Sequence, residues 1–220
     1  MLPAIPKRAM LVAFDGIDGS GKSTAAALLA ERLTAHGMRT TVHRNRSLVP
    51  VREALDALAE AEGHRDRMDM LGADAAQFLA AMLKWRELLD IAPLLGEPDQ
   101  VVVVDRYVYT HLALAAVHGT TNADRLRRLF GIFPVPDVAV FLDVPPAVAV
   151  DRVLRRGRDA NSLDFLTRLR DGFLALPEMR HFHILDGEAR PTAIVDRVWQ
   201  LVAPGHAASP TRRDAGGAPG

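Results

Sequence analysis

Three glycines, a lysine and a serine hydroxyl fall within eight residues, Gly16-Ile-Asp-Gly-Ser-Gly-Lys22-Ser23, and satisfy the pattern G-x-x-x-x-G-K-[ST]. The spacing suits a chain of phosphates. Glycines let backbone N–H groups converge on phosphate oxygens, and a helix starting at the lysine adds partial positive charge. In this reading Lys22 reaches the β- and γ-phosphates of a nucleotide, and the Ser23 hydroxyl is a ligand for Mg2+. Gly16, Ile17, Asp18, Gly19, Ser20, Gly21 and Thr24 complete the nucleotide-binding set. Only three of the 27 basic residues are lysines (Lys7, Lys22 and Lys84), so a lysine at this place stands out.

A second cluster follows an unbroken apolar run, Val101-Val-Val-Val-Asp105-Arg106-Tyr107. A carboxylate that ends a buried strand beside the phosphate loop can hold Mg2+ or its water. Arg106 then projects over the crevice at the carboxyl ends of the strands. Together these residues describe phosphoryl transfer. The Asn-Lys-x-Asp motif with which GTPases read their base is absent, and the length argues against most motors.

Positioning these groups requires an alternating α/β chain. Short apolar, β-rich runs at 10–14, 40–43, 101–104, 138–142 and 182–185 read as strands. Helical periodicity covers 22–36, 51–61, 66–95 with a break near Gly72, 110–118, 147–156, 161–176 and 192–202. Strand and helix in alternation imply a doubly wound domain with helices on both faces of a parallel sheet. The expected organisation is a short lead at 1–8, one domain at 9–203, and a disordered tail at 204–220 that has no large apolar residue to anchor it.

Composition narrows the class further. The 220 residues contain no cysteine, which excludes disulfides, thiolate metal sites and a cysteine nucleophile. Acidic and basic residues balance at 27 each, so no global charge draws nucleic acid or membrane. No apolar run reaches the roughly 18 residues that span a bilayer. The first residues lack the long apolar core of a signal peptide. The expectation is a cytoplasmic protein with neither a nucleic-acid nor a membrane partner.

With these motifs in view, the chain resembles the thymidylate kinase family. Phe14–Thr24 looks like that family's phosphate loop and Asp105-Arg106-Tyr107 like its Asp-Arg-Tyr/His motif. The resemblance continues through 141–146, 151–157, 163–173 and Leu185-Asp-Gly-Glu188, and spans about residues 9–203. It implies a P-loop NTPase-type three-layer sandwich whose five-stranded parallel sheet has the order 2-3-1-4-5. The implied reaction is dTMP + ATP to dTDP + ADP with Mg2+, carried out by a homodimer. Asp18 would accept a hydrogen bond from the acceptor sugar, and Arg106 would bridge the two phosphate groups. Asp105 would organise Mg2+. Arg152, with Arg155, Arg156 and Arg158 of the lid, would close over ATP, and Tyr107 would belong to the acceptor site.

Three departures bear on the acceptor. The family's Thr-Arg-Glu-Pro-Gly-Gly-Thr-Pro is replaced by residues 43–50, His-Arg-Asn-Arg-Ser-Leu-Val-Pro, which keep Arg44 but lose the acid and both glycines. Leu83 stands where an arginine near the acceptor base is expected. Arg86 is the candidate substitute, and Phe78 a candidate stacking surface beside its reading as plain core. The lid, 156–162, is short, as in deoxynucleoside kinases, although those place Glu-Arg-Ser where this chain has Asp-Arg-Tyr. The acceptor therefore stays open between dTMP and a modified nucleotide, a nucleoside or another small metabolite. A non-catalytic nucleotide-binding module is the alternative from another class. His181 and His183 read as strand-edge histidines, and Asp124–Arg128 as a solvated helix face.

Overall fold

The computed structural model describes residue 5 and residues 7–44, 49–157 and 161–203. Arg158, the segment 204–220, and 45–48 of the departed stretch lie outside the described residues. Five strands, β1 (Met10–Asp15), β2 (Arg39–His43), β3 (Gln100–Asp105), β4 (Val138–Asp143) and β5 (Phe182–Asp186), form one sheet of order β2-β3-β1-β4-β5. Every pairing is parallel, so all five carboxyl ends share one edge. This is the expected architecture and strand order. Chain connections leave β1 and β3 in opposite directions, toward β2 and β4, so the crevice of the fold opens at the adjacent ends of β1 and β3.

Side-chain alternation sorts the residues between two apolar layers. Val12 and Phe14 of β1, with Val101 and Val103 of β3, pack on α1 (Lys22–Ala35) and on Val195 and Val198 of the last helix. Leu11 and Ala13, with Val102 and Val104, pack instead on Ala81 and Leu88 of α4 and on Leu112 and Ala113 of α6. In chain order the remaining helices are α2 (Val49–Ala61), α3 (Arg67–Leu71), α4 (Ala73–Leu88), α5 (Ala92–Leu95), α6 (Tyr109–Val117), α7 (Ala123–Phe130), α8 (Pro146–Leu154), α9 (Leu163–Leu174) and α10 (Pro191–Val202). All six residues of β3 are buried, as its unbroken apolar sequence requires.

The periodic stretch 66–95 is several helices. Asp66 caps α3 by accepting from the Asp69 amide at 2.9 Å, and Gly72, at φ 76°, turns the chain into α4. A 3-10 turn at Leu89–Ile91 and Pro93, which has no N–H to continue the ladder, separate α4 from α5. The basic stretch at 124–128 lies within α7, but its face is not wholly solvated. Leu126 is fully buried, and Arg127 donates from Nε to Glu178 at 2.7 Å. His181 and His183 are both exposed, and no group of metal-ligating side chains occurs among the described residues. Among those residues no helix is long and apolar enough to cross a membrane.

Helices α6 and α9 approach closely at Gly172. A Cβ added at Gly172 would lie 3.0 Å from the Ala113 carbonyl oxygen and 3.6 Å from Val117. Gly172→Ala should be nearly neutral, since a helix-propensity gain of about 1 kcal/mol offsets the tight methyl. Gly172→Val should overpack the seam at a cost of about 1–3 kcal/mol, read as a clear fall in Tm by calorimetry that the alanine variant does not show.

Candidate active site

The phosphate loop is the turn between β1 and α1. Helix α1 has Gly21 at its N-cap with φ 99°, no side-chain cap and no acid in its first turn, so its first amides are left for an anion. Gly19 has φ 82°, and a Cβ there would fall 2.4 Å from the Ala149 carbonyl oxygen of α8. The turn therefore needs glycine both for its backbone and for space. Lys22 is buried and folds back over the loop, donating to Ile17 O at 2.6 Å and Ser20 Oγ at 3.1 Å. Burial, reinforced by the Arg106 charge, brings its ammonium down to about 7.

Strand parity decides what faces this loop. Asp105 shares the parity of Val101 and Val103, so it points to the α1 layer, where Ser23 Oγ donates to its Oδ2 at 2.5 Å. Its other oxygen, Oδ1, is buried with no hydrogen-bond partner among the described residues. A buried carboxylate oxygen beside a serine hydroxyl is a donor set that suits Mg2+ sharing its remaining positions with water and phosphate. Asp15 has the parity of Leu11 and Ala13 and points the other way, into the α4 and α6 layer, where it accepts from Thr110 Oγ1 at 3.1 Å.

Arg106 departs from the strand with φ 65°, and its amide donates to Phe14 O at 2.9 Å. That bond carries the β1–β3 ladder one step past the strand end. Its guanidinium donates from Nη1 to Gly16 O at 3.1 Å and pairs through Nη2 with the Asp18 carboxylate. Asn161 Nδ2 donates to the second Asp18 oxygen at 2.8 Å. Burial works to raise the Asp18 carboxyl, but the Arg106 and Lys22 charges and these hydrogen bonds hold it below the usual range.

A cleft of about 530 Å3 adjoins the loop, lined among others by Ser20, Gly21, Thr24, Arg152, Arg155, Arg156 and Gly187 to Pro191. Arg152 spans it, donating to Gly187 O at 2.8 Å and Gly19 O at 3.4 Å. Gly187 is fixed in turn: its amide donates to Asp143 O at 2.6 Å, and Asp143 holds Arg170 of α9 by two bonds of 2.6 and 2.8 Å. Arg155 pairs with Asp151 one turn before it. The expected donor-side residues thus converge, apart from Arg158, which lies outside the described set.

The residues expected to meet the acceptor differ more from expectation. Arg44 is exposed and leaves the sheet directly after β2. Phe78 is half-buried against the core, with the Arg125 guanidinium 5.8 Å over its ring. Tyr107, expected in the acceptor site, is 2% exposed, and its hydroxyl donates to Pro134 O at 2.8 Å. It is a core residue, because the chain turns inward after Arg106. Arg86, the expected substitute cation, is exposed on the outer side of α4 and pairs with Asp90 at 2.7 Å.

The inner face of α4 instead carries Lys84 and Glu87, both buried. Lys84 donates to Glu87 Oε1 at 3.1 Å, and His43 Nε2 lies 2.9 Å from the same oxygen. Burial lowers the Lys84 ammonium and Glu87 opposes the shift. His111 of α6 is pushed down to about 3 by burial and by the Lys84 and Arg106 charges, and its Nδ1 has no hydrogen-bond partner among the described residues. Sequence reasoning missed these groups. Strand parity was the available signal for Asp15 and His43, and the scarcity of lysine for Lys84; nothing in the sequence marked Asn161.

Asp15 generates a test. Burial raises its carboxyl from 3.8 to about 6, so the unfolded chain ionises first and the native state weakens as pH rises between those values. Asp15→Asn should therefore be more stable than wild type by up to about 3 kcal/mol above pH ~7. The gain should vanish below the lower pKa. A difference in stability that stays flat with pH, read by chemical denaturation, would show that Asp15 does not carry this cost.

The comparisons with known proteins agree with this geometry. The family model for thymidylate kinase matches residues 14–198. A thymidylate kinase of Xylella fastidiosa is 33% identical over 199 residues, covering 88% of this chain and 90% of its own. That of Solidesulfovibrio magneticus is 32% identical over 216 residues, covering 88% and 98%. That of Rhodopseudomonas palustris is 32% identical over 211 residues, covering 89% of each. With a match this long enclosing both the phosphate loop and the Asp105-Arg106 strand end, the chain belongs to the thymidylate kinase family of phosphotransferases.

Proposed function

We propose that the chain transfers the γ-phosphoryl group of ATP to the phosphate of dTMP, giving dTDP and ADP. One observation supports the reading: the Arg106 guanidinium is held at the phosphate loop, on Gly16 O and Asp18, where it would bridge donor and acceptor phosphates. The nucleophile in such a reaction is a phosphate oxygen, already an anion. An acceptor oxygen forms the new P–O bond as the bond to the β,γ-bridging oxygen breaks, and that electron pair leaves with ADP. The protein's task is to bring two anions together and hold them in line.

Each group has a part in that task. Lys22 exchanges its contacts with Ile17 and Ser20 for phosphate oxygens, and the uncapped amides of α1 hold the same groups. Arg106 neutralises charge shared between donor and acceptor. Asp18, clamped by Arg106 and Asn161, faces the acceptor sugar. Arg152, with Arg156 beside it, borders the donor cleft. Ser23 Oγ and Asp105 Oδ1 would hold Mg2+, which when bound supplies positive charge to the phosphoryl oxygens. The family resemblance supports a cytoplasmic homodimer, and sedimentation would test the dimer.

A second reading, another acceptor in the same fold, is favoured by one observation. The cation that α4 turns inward is Lys84, whereas its arginine, Arg86, faces out. A turnover screen of nucleoside monophosphates and nucleosides with Mg-ATP decides between the two.

Lys22→Ala should lower kcat by about 10²–10³-fold or more. Arg106→Ala should leave Mg-ATP affinity within several-fold by calorimetry while kcat/KM for dTMP falls by orders of magnitude, since its interaction is made in the transition state. Lysine at 106 should restore only part, because a point charge cannot fork between two phosphates. Turnover of Lys22→Ala within about tenfold of wild type would sink the assignment, as would loss of all ATP binding in Arg106→Ala for the acceptor geometry.

A further inference from the structure

The chain His43–Glu87–Lys84 is used by none of the steps above, yet it lies at the carboxyl end of β2, at the root of Arg44. Its members are 8%, 7% and 4% exposed. Replacing a buried ion pair by apolar side chains of similar volume is often neutral or stabilising. Stability alone is therefore a poor account of three titratable groups buried on one oxygen.

Their placement follows from the fold. His43 ends β2 in register with Val104, so it shares that residue's parity and points to the α4 layer. Arg44 is the next residue, where the chain leaves the sheet. On α4, Lys84 and Glu87 are one turn apart on the inner face. Val104, the register partner of His43, stands two residues before Arg106 on the β3 side. One carboxylate oxygen thus ties the root of Arg44, beside the end of β3, to α4.

We propose that Glu87 is a positioning residue for the acceptor: by holding His43 and Lys84 on one oxygen it fixes where Arg44 leaves the sheet relative to Arg106, and so sets the spacing of the two cations that meet the acceptor phosphate. This rests on the reading that Arg44 and Arg106 face that phosphate. Arg44 is the catalytic-site group, and Glu87 acts through it. A staple that merely held α4 to the sheet would change melting and leave acceptor affinity alone.

The test is a double-mutant cycle on the full chain with dTMP and Mg-ATP. Glu87→Leu removes the oxygen that holds both partners at similar volume. His43→Asn breaks the link from the strand side while Glu87 keeps Lys84, and serves if Glu87→Leu does not fold. Either variant should raise KM for the acceptor by about ten- to a hundredfold, the scale of a displaced positioning group. The Kd for Mg-ATP should stay within about twofold. Combined with Arg44→Ala, either should add little, because both changes remove one function. Unchanged acceptor KM with lowered Tm, or effects that multiply in the double variant, overturns the proposal and leaves the dTMP reading standing. A wild type that ignores dTMP but phosphorylates another acceptor removes the dTMP reading, and the cycle is run on that acceptor. A wild type with no acceptor turnover overturns both.

Discussion

Because the sheet is wholly parallel, its five strands end at one edge on Asp15, His43, Asp105, Asp143 and Asp186. Four acids and a histidine in line would repel the anions that this edge is built to hold. The rest of the structure answers that constraint. Four of the five are turned by strand parity toward a helix layer and given a partner there, while Asp186 is exposed and accepts from the Glu188 amide. Asp15 and His43 go to the α4 and α6 side, and Asp105 goes to α1. Asp143 is engaged by Arg170. What remains open at the edge is the ring of loop amides with Lys22 and Arg106.

Those two cations are brought close at some cost. Lys22 is buried and lies in the field of Arg106, which helps to lower its ammonium. The carboxylates Asp18, Asp105 and Asp15 act in the opposite sense and keep the pair together. Removing any one of these charges changes the balance felt by the others, so substitutions here should not be additive. The donor cleft is more loosely organised: Arg152 at the end of α8 is half-buried, and Arg155 and Arg156 just past it are exposed. His43, Lys84 and Glu87, between β2 and α4, are the reverse, buried and joined on one carboxylate oxygen.

Fold and donor site were legible in the sequence because they depend on local rules. A glycine-rich turn between an apolar run and a helix has few solutions, and alternating short and long apolar periods imply a parallel sheet. The Asp105-Arg106 pair was readable because it closes an unbroken valine run. The groups buried between β2 and α4 were harder, since they are far apart in sequence: Glu87 meets His43 across 44 positions. Arg86 was the natural choice as an arginine one turn beyond Leu83. Yet the helix phase that buries Gln77, Ala81, Lys84 and Leu88 turns Arg86 outward. Tyr107 was misplaced because motif membership says nothing about direction, and its ring follows the chain into the core.

The left-handed backbone of Arg106 has a consequence for laboratory evolution. A non-glycine residue held at φ 65° stores about 1–3 kcal/mol, and here the sheet bond from its amide to Phe14 keeps it there. Glycine at this position would release that strain, and asparagine much of it. A library selected for thermal survival alone should therefore drift away from arginine at 106, whereas one selected for turnover should restore it. If Arg106 has the role proposed for it, heat tolerance and catalysis pull this codon in opposite directions, and consensus built from stability screens would erase it.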